Sequence, residues 1–434
     1  MIILENATII TSEKESVGSV IIENGVIADV LYNESEDYQY QLYKYRQKAE
    51  EVMDCTGKHL IAGGIDAHVH FREPGLTHKA DMHTESEAAI RGGVTSFIDM
   101  PNTNPATTSA QTLNDKISLA KGRVRGKIAF HIGVTNDNAD DVCRMIEEEE
   151  IAGVKVFMGS STGNMLVDTE NTLEKIFAIT KKPVLVHCED EATIKKNLEE
   201  AINRYGEDIP FSEHEHIRSR KACIKSSIKA LEMAIRHGTT LVLCHISTKE
   251  ELEMVRAAKN LNPKIVAETS CNYLWFSNSD YDRLGSKAKC NPSLKTENDR
   301  VALREGLANG TIDTIGSDHA PHLLSEKDMP YIKAPSGLPT IQQSLPALLT
   351  IAHQENIPLT RIAAVFSENA ARVYNLNRGK IAKGYDADIV IFDYNKEFIV
   401  RNEEQLSKCG WTPYAGETLR GVIECVFVDG TRVL

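Results

Sequence analysis

Gly63-Gly64-Ile65-Asp66-Ala67-His68-Val69-His70 is an apolar run, headed by two glycines, that finishes on two histidines two positions apart. Side chains of an extended segment alternate faces with period two, so both imidazoles point the same way and can grip one ion. An isolated His-x-His is more often a pair of ordinary polar residues at a strand end. Here the pattern recurs. Pro183-Val184-Leu185-Val186-His187 and Thr240-Leu241-Val242-Leu243-Cys244-His245 each end on a histidine, and Thr314-Ile315-Gly316-Ser317-Asp318 runs a short apolar stretch into a carboxylate.

Gly153-Val154-Lys155-Val156-Phe157-Met158 places a lysine in the middle of an apolar β run. Lysine is almost never fully buried unless paired or used. Burial of an amine favours its neutral, nucleophilic form. Such an amine can add carbon dioxide, giving a carbamate whose two oxygens suit a bridge between metals about 3.5–4 Å apart. Each piece alone has an ordinary explanation: a lysine snorkelling to solvent, a satisfied core histidine, an aspartate capping a helix. Together His68, His70, Lys155, His187, His245 and Asp318 describe a two-metal hydrolase site.

Between about residues 60 and 375, β runs alternate with helical patterns, which favours a parallel sheet with crossover helices. The expected strands are 60–67, 95–100, 127–133, 153–158, 183–187, 240–245, 264–269 and 311–316. Eight such units fit an α/β fold of the TIM-like (β/α)8 barrel type, whose active sites lie at the C-terminal ends of the strands. The six residues then fall at or near the ends of strands one, four, five, six and eight, around one mouth. A doubly wound open sheet would spread them along a crevice instead.

The two ends of the chain differ from the middle. Asn24-Gly25 and Asp429-Gly430 each sit between apolar runs as hairpin signals, and 388–392 adds another strand. These imply a small β-sandwich domain assembled from both termini. The expected division is 1–58 and 376–434 for that domain and 59–375 for the barrel. The tyrosine-rich 38–45 and the charged run after it, to 51, are compatible with a helix or a surface excursion, and Glu147 to Glu150 with a solvated helix face.

At 434 residues the chain exceeds the usual size of one core. Its 41% apolar and 26% charged residues are ordinary for a globular protein. A net charge of −13 argues against a nucleic-acid partner, which needs a basic face. The nine cysteines include no Cys-x-x-Cys pair, which fits a reducing compartment better than a disulfide scaffold. The N-terminus lacks the basic start and apolar stretch of a signal peptide, and no run approaches about 18 apolar residues. The expectation is a cytoplasmic protein with no membrane partner.

His68-Val69-His70-Phe71-Arg72-Glu73-Pro74-Gly75, Asp99-Met100-Pro101-Asn102-Thr103-Asn104-Pro105 and Asp318-His319-Ala320-Pro321-His322 resemble the dihydroorotases, in the cyclic amidohydrolase branch of the amidohydrolase superfamily. Gly384-Tyr385-Asp386-Ala387-Asp388-Ile389-Val390 is similar to the C-terminal β segment of that superfamily, so the resemblance spans nearly the whole chain. It implies that His68 and His70 bind one zinc, His187 and His245 a second, that carboxylated Lys155 bridges them, and that Asp318 is both ligand and catalytic proton carrier. It further implies that Arg72, Asn102 and His322 hold a substrate carboxylate. Asn291 would contact a pyrimidine ring, with the Ser336-Gly337 backbone nearby.

In one respect the chain departs from many bacterial relatives. They lack the lysine and place an aspartate a few residues later, whereas Gly159-Ser160-Ser161-Thr162-Gly163 has no carboxylate. The implied activity is reversible zinc-dependent hydrolysis of dihydroorotate to N-carbamoyl-aspartate, with a small molecule as partner and a homo-oligomer as the default assembly. The alternatives are an allantoinase or hydantoinase, which act on neutral rings, and a non-catalytic partner protein, a type that typically loses metal ligands.

Overall fold

The computed structural model describes residues 1–146, 151–159, 165–179 and 181–434. Glu147 to Glu150 and most of the loop 159–163 lie outside the described residues.

Runs of Val, Ile and Leu without polar alternation belong to strands buried on both faces, and eight of them form one parallel sheet. In order they are Gly64–Val69, Val94–Asp99, Lys127–Gly133, Ile151–Phe157, Val184–His187, Leu241–Leu243, Ile265–Thr269 and Thr314–Ile315, each hydrogen-bonded to the next. A parallel bridge between Val69 and His319, with His70 N donating to His319 O at 2.8 Å, brings the last strand's exit back to the first. The result is a nearly closed (β/α)8 barrel. The eighth strand is shorter than the sequence suggests because the chain turns into the site at Gly316.

Period-two alternation divides the barrel residues between two environments. Val184, Val186, Leu241 and Leu243 pack outward on the helices. Leu185, Val242 and Val266 form a separate cluster inside. Lys155 pairs in register with Leu185, which pairs with Val242, which pairs with Val266. The lysine therefore occupies an interior position of the barrel, with 0% exposure.

The single strand expected over 60–67 is two. His59–Ala62 pairs with Thr8–Ile10 and with Ile389–Phe392 in the terminal sheet, and Gly64–Val69 begins the barrel. The break falls at Gly63 and Gly64, where a Cβ would lie 2.1 Å from Thr95 Oγ1 and 2.4 Å from the Phe366 ring. Only glycine lets the connection pass this close to the second barrel strand and to Phe366.

The terminal sheet has eight strands from both ends of the chain. Its two-residue hairpins turn at Asn24-Gly25 (φ 52° and 82°) and Asp429-Gly430 (φ 46° and 67°), the left-handed pair that such turns require. Leu60 and Ala62 face a small core of this sheet, and Ile61 between them faces the barrel core. Residues Tyr38–Arg46 form a helix whose Tyr38 and Leu42 cover Ile3. Among the described residues no helix is long and apolar enough to cross a membrane.

Candidate metal centre

The barrel brings the six residues to one place. His68, His70, Lys155, His187, His245 and Asp318 all line one small cleft at the C-terminal ends of the strands, together with Arg72, Asn291, Ser336 and Gly337. Asn102 and His322 stand behind this lining.

Hydrogen bonds on the far side of each ring decide which nitrogen faces the cleft. His68 Nδ1 donates to Glu268 Oε1 at 2.7 Å and His70 Nδ1 to Asn102 Oδ1 at 2.8 Å. Both Nε2 lone pairs then point at Asp318 Oδ1, at 3.4 and 3.1 Å. His187 Nε2 donates to Glu189 Oε2 at 2.9 Å, which turns its Nδ1 toward His245 Nε2, also at 2.9 Å.

Three lone-pair groups meeting at one point repel unless a cation or proton lies between them. Nitrogen ligands about 2.0–2.1 Å from a tetrahedral zinc are about 3.3 Å apart, close to the spacing of these donors. Burial holds His68 and His245 well below the ordinary imidazole range and lowers His70 and His187 as well, so all four are in the neutral, metal-ligating form. Burial opposes ionisation of Asp318, and it is positive charge at the imidazole cluster, as a proton or a bound cation, that holds the carboxyl below its usual range. The donor set fits divalent metal.

Lys155 Nζ sits beneath this group and donates to Cys244 Sγ at 3.4 Å. Cys244 converges with His68 and Glu268, but burial pushes its thiol far up, so it offers no thiolate. His245 and Asp318, with Arg72, carry positive φ of 38°, 48° and 65°. Such strain in non-glycine residues persists where surroundings over-determine it, typically at functional sites.

Four supporting groups were not singled out from the sequence. Asp66 Oδ1 accepts from His68 N at 3.0 Å and Ser317 N at 3.1 Å, tying strand one to strand eight beside two of the candidate ligands, His68 and Asp318. Glu268 and Glu189 orient His68 and His187, and Arg218 pairs with Glu189. Asp99 accepts from Phe71 N at 2.8 Å and pairs with fully buried Lys116 at 2.7 Å. For Asp66, Asp99 and Glu268 a signal was present, a carboxylate inside an apolar strand like Lys155; Glu189 lies just past its strand and carries no such mark.

Two residues beyond His70, Arg72 also lines the cleft and is 3% exposed. It donates to Pro321 O at 3.1 Å and lies 3.0 Å from His322 Nε2. Burial lowers it to about 10. His322 contacts Ser336 O at 3.1 Å and Lys79 Nζ at 3.0 Å, and its carbonyl accepts from Trp411 Nε1 at 2.7 Å. Asn291 Oδ1 is buried with no hydrogen-bond partner among the described residues. Asn102, expected at a substrate carboxylate, has its carbonyl oxygen on His70.

Residues 59–433 match the model of the amidohydrolase family. The chain belongs to the amidohydrolase family. This amidohydrolase is 33% identical to a dihydroorotase of Methanosarcina acetivorans over 95% of its own length and 88% of the relative's. It is also 33% identical to a dihydroorotase of Methanosarcina mazei, covering 99% and 92%. Among solved structures, an L-hydantoinase (dihydropyrimidinase) from Arthrobacter aurescens superposes with a TM-score of 0.92 at 25% identity, covering 100% of this chain and 95% of that one. The amidohydrolase is therefore a cyclic amidohydrolase enzyme, which sets aside the non-catalytic alternative.

Proposed function

We propose that this amidohydrolase is a dihydroorotase, interconverting (S)-dihydroorotate and N-carbamoyl-L-aspartate with two zinc ions. The observation that carries the reading is Arg72: a buried guanidinium lining the same cleft as the candidate metal ligands. A planar fork of donors suits a carboxylate in charge and geometry, and dihydroorotate is a cyclic amide bearing one. The dihydroorotase relatives support the same choice. A hydantoinase or allantoinase type of activity is the second reading, favoured by the closeness of the hydantoinase fold; those rings are neutral and leave Arg72 without a counter-charge.

His68 and His70 with Asp318 would hold one zinc and His187 with His245 the other, with Lys155, as its carbamate, between them. Bound zinc supplies Lewis acidity, lowering the pKa of water to about 7 and polarising a carbonyl. Arg72 anchors the ring by its carboxylate, with His322 behind it. Asn291 offers its unpartnered oxygen to a ring N–H. Asp318 takes the proton of the attacking water and passes it to the departing ring nitrogen. In the reverse direction protonated Asp318 serves ring closure, so acid favours closure and base favours opening. We place the enzyme in the cytoplasm, consistent with nine free cysteines, and take a homodimer as its default assembly.

The test is a two-way assay of the purified protein with dihydroorotate and N-carbamoyl-aspartate, with zinc quantified on the same sample. Interconversion with close to two zincs per chain supports the proposal. Metal without turnover, followed by activity on hydantoin or allantoin, replaces it with the second reading.

A further inference from the structure

Lys327 has 0% exposure, and its Nζ donates to three carbonyl oxygens: Pro335 at 2.8 Å, Lys289 at 3.1 Å and Gly337 at 3.2 Å. An ammonium has three N–H donors and no acceptor, so these carbonyls satisfy it completely. A lysine with only a packing role leaves its head in water; this one is turned inward.

A second lysine crosses in the opposite sense. Lys289, 7% exposed, donates to Tyr331 O and Ala334 O, each at 2.6 Å, while Gly337 N donates to Lys289 O at 3.0 Å. Two ammonium groups thus gather five carbonyls from two segments, around 289 and over 331–337. Neither segment belongs to a regular strand or helix where it passes the cleft; the second has further backbone ties at its ends, an Ala334 N to Pro330 O turn and a bridge of Leu338 to His319. Yet these segments carry Asn291, Ser336 and Gly337 into the cleft lining.

The second segment has no slack. Gly337 has φ +145°, and a Cβ there would lie 2.5 Å from Ala320 O and 2.9 Å from His322 Cδ2. The loop is pressed onto the stretch that runs from Asp318 to His322. A shift in it reaches His322 and, through His322, Arg72.

We propose that Lys327 and Lys289 are positioning residues: a two-lysine clasp that fixes the irregular wall carrying Asn291, Ser336 and Gly337 and so sets how tightly the cyclic amide is held, without touching it. The inference rests on the reading of that wall as the substrate side, and it applies to whichever cyclic amide the enzyme turns over.

The experiment compares Lys327→Met, Lys289→Met and Lys327→Arg with the wild type, each assayed on dihydroorotate and on neutral dihydrouracil, with zinc content and thermal midpoint recorded. The wild type's choice of ring tests the proposed function; the change between variants on the working ring tests the clasp. The methionine variants should raise KM about 10-fold, with kcat within threefold, zinc content unchanged and a midpoint lowered by only a few degrees as the freed carbonyls lose their donor. Lys327→Arg, which keeps charged donors, should recover part of the loss. An unchanged KM overturns the proposal. So does a loss of kcat and zinc content in step with the rise in KM, or failure of both methionine variants to fold, since the clasp would then serve only the fold.

Discussion

His187 and His245, 58 positions apart and carried at the ends of strands five and six, meet Nδ1 to Nε2 at 2.9 Å. That meeting depends on Glu189, which accepts the proton of His187 Nε2 and leaves Nδ1 bare. Removing an outer carboxylate of this kind typically weakens metal binding about 10–100-fold. Glu189→Ala should therefore lose zinc from the second position first when titrated with a competing chelator. Occupancy equal to wild type at every chelator concentration would show that Glu189 does not orient the ligand.

Asp318 Oδ1 lies 3.1 Å from His70 Nε2 and 3.4 Å from His68 Nε2. Its proposed proton transfer contributes in the range of about 100- to 10,000-fold in other enzymes. Asp318→Asn keeps the shape and one oxygen but cannot carry the proton. We expect turnover to drop by that order in both directions while much of the zinc stays bound. Near-normal turnover would remove Asp318 from the catalytic role.

For Arg72 the expected signature is selectivity. A charge-assisted pair to a carboxylate contributes about 2–3 kcal/mol, so Arg72→Met should raise KM for dihydroorotate about 100-fold. A neutral ring, if turned over at all, should be nearly indifferent to the change. Equal effects on both rings would argue that Arg72 only supports its loop through Pro321 O.

Away from the cleft, Asp299 joins three helices. It pairs with Arg220 and accepts from Lys249 N and Thr296 N, each at 3.1 Å. Burial raises its carboxyl, but Arg220 and Thr296 outweigh this and hold it below the ordinary value. With the folded pKa below the unfolded one, its stabilisation is full above the unfolded pKa, about 4, and is lost as pH falls through the folded value. Asp299→Asn should cost about 2 kcal/mol at pH 7, and the difference from wild type should narrow below about pH 4. Denaturant unfolding of both proteins at several pH values checks this. Acid release of metal affects the two alike and cancels in the difference.

Much of the barrel was legible because its strands are covered on both faces. Their apolar runs needed no knowledge of partners, and the residues that break the pattern, Lys155 among them, stood out for that reason. The split at Gly63 was not read as such: the Gly63-Gly64 pair within 60–67 is a break signal, but it does not say which sheet each half joins. Where a strand leaves one sheet and enters another depends on which neighbours it meets, here Thr95 and Phe366. The hairpins at Asn24-Gly25 and Asp429-Gly430 were readable because the turn is a local backbone requirement.

The candidate ligands were visible for a similar reason: each is a polar side chain closing an apolar strand. The residues that orient them were harder to find. Glu189 and Glu268 gain their meaning only from the rings they touch, and Lys327 and Lys289 are indistinguishable in sequence from surface lysines.

The sequence by itself determined the periodicities, the turns and the set of groups with chemistry to offer, because these depend on interactions within a few residues along the chain. The tertiary structure alone decided which imidazole nitrogen faces the cleft, that Asp66 binds the backbone of both His68 and Ser317, and that two lysines are wrapped by carbonyls. Each of these is a contact between segments far apart in sequence, and a hydrogen bond or a buried charge is fixed by the partner opposite, which the local sequence does not contain.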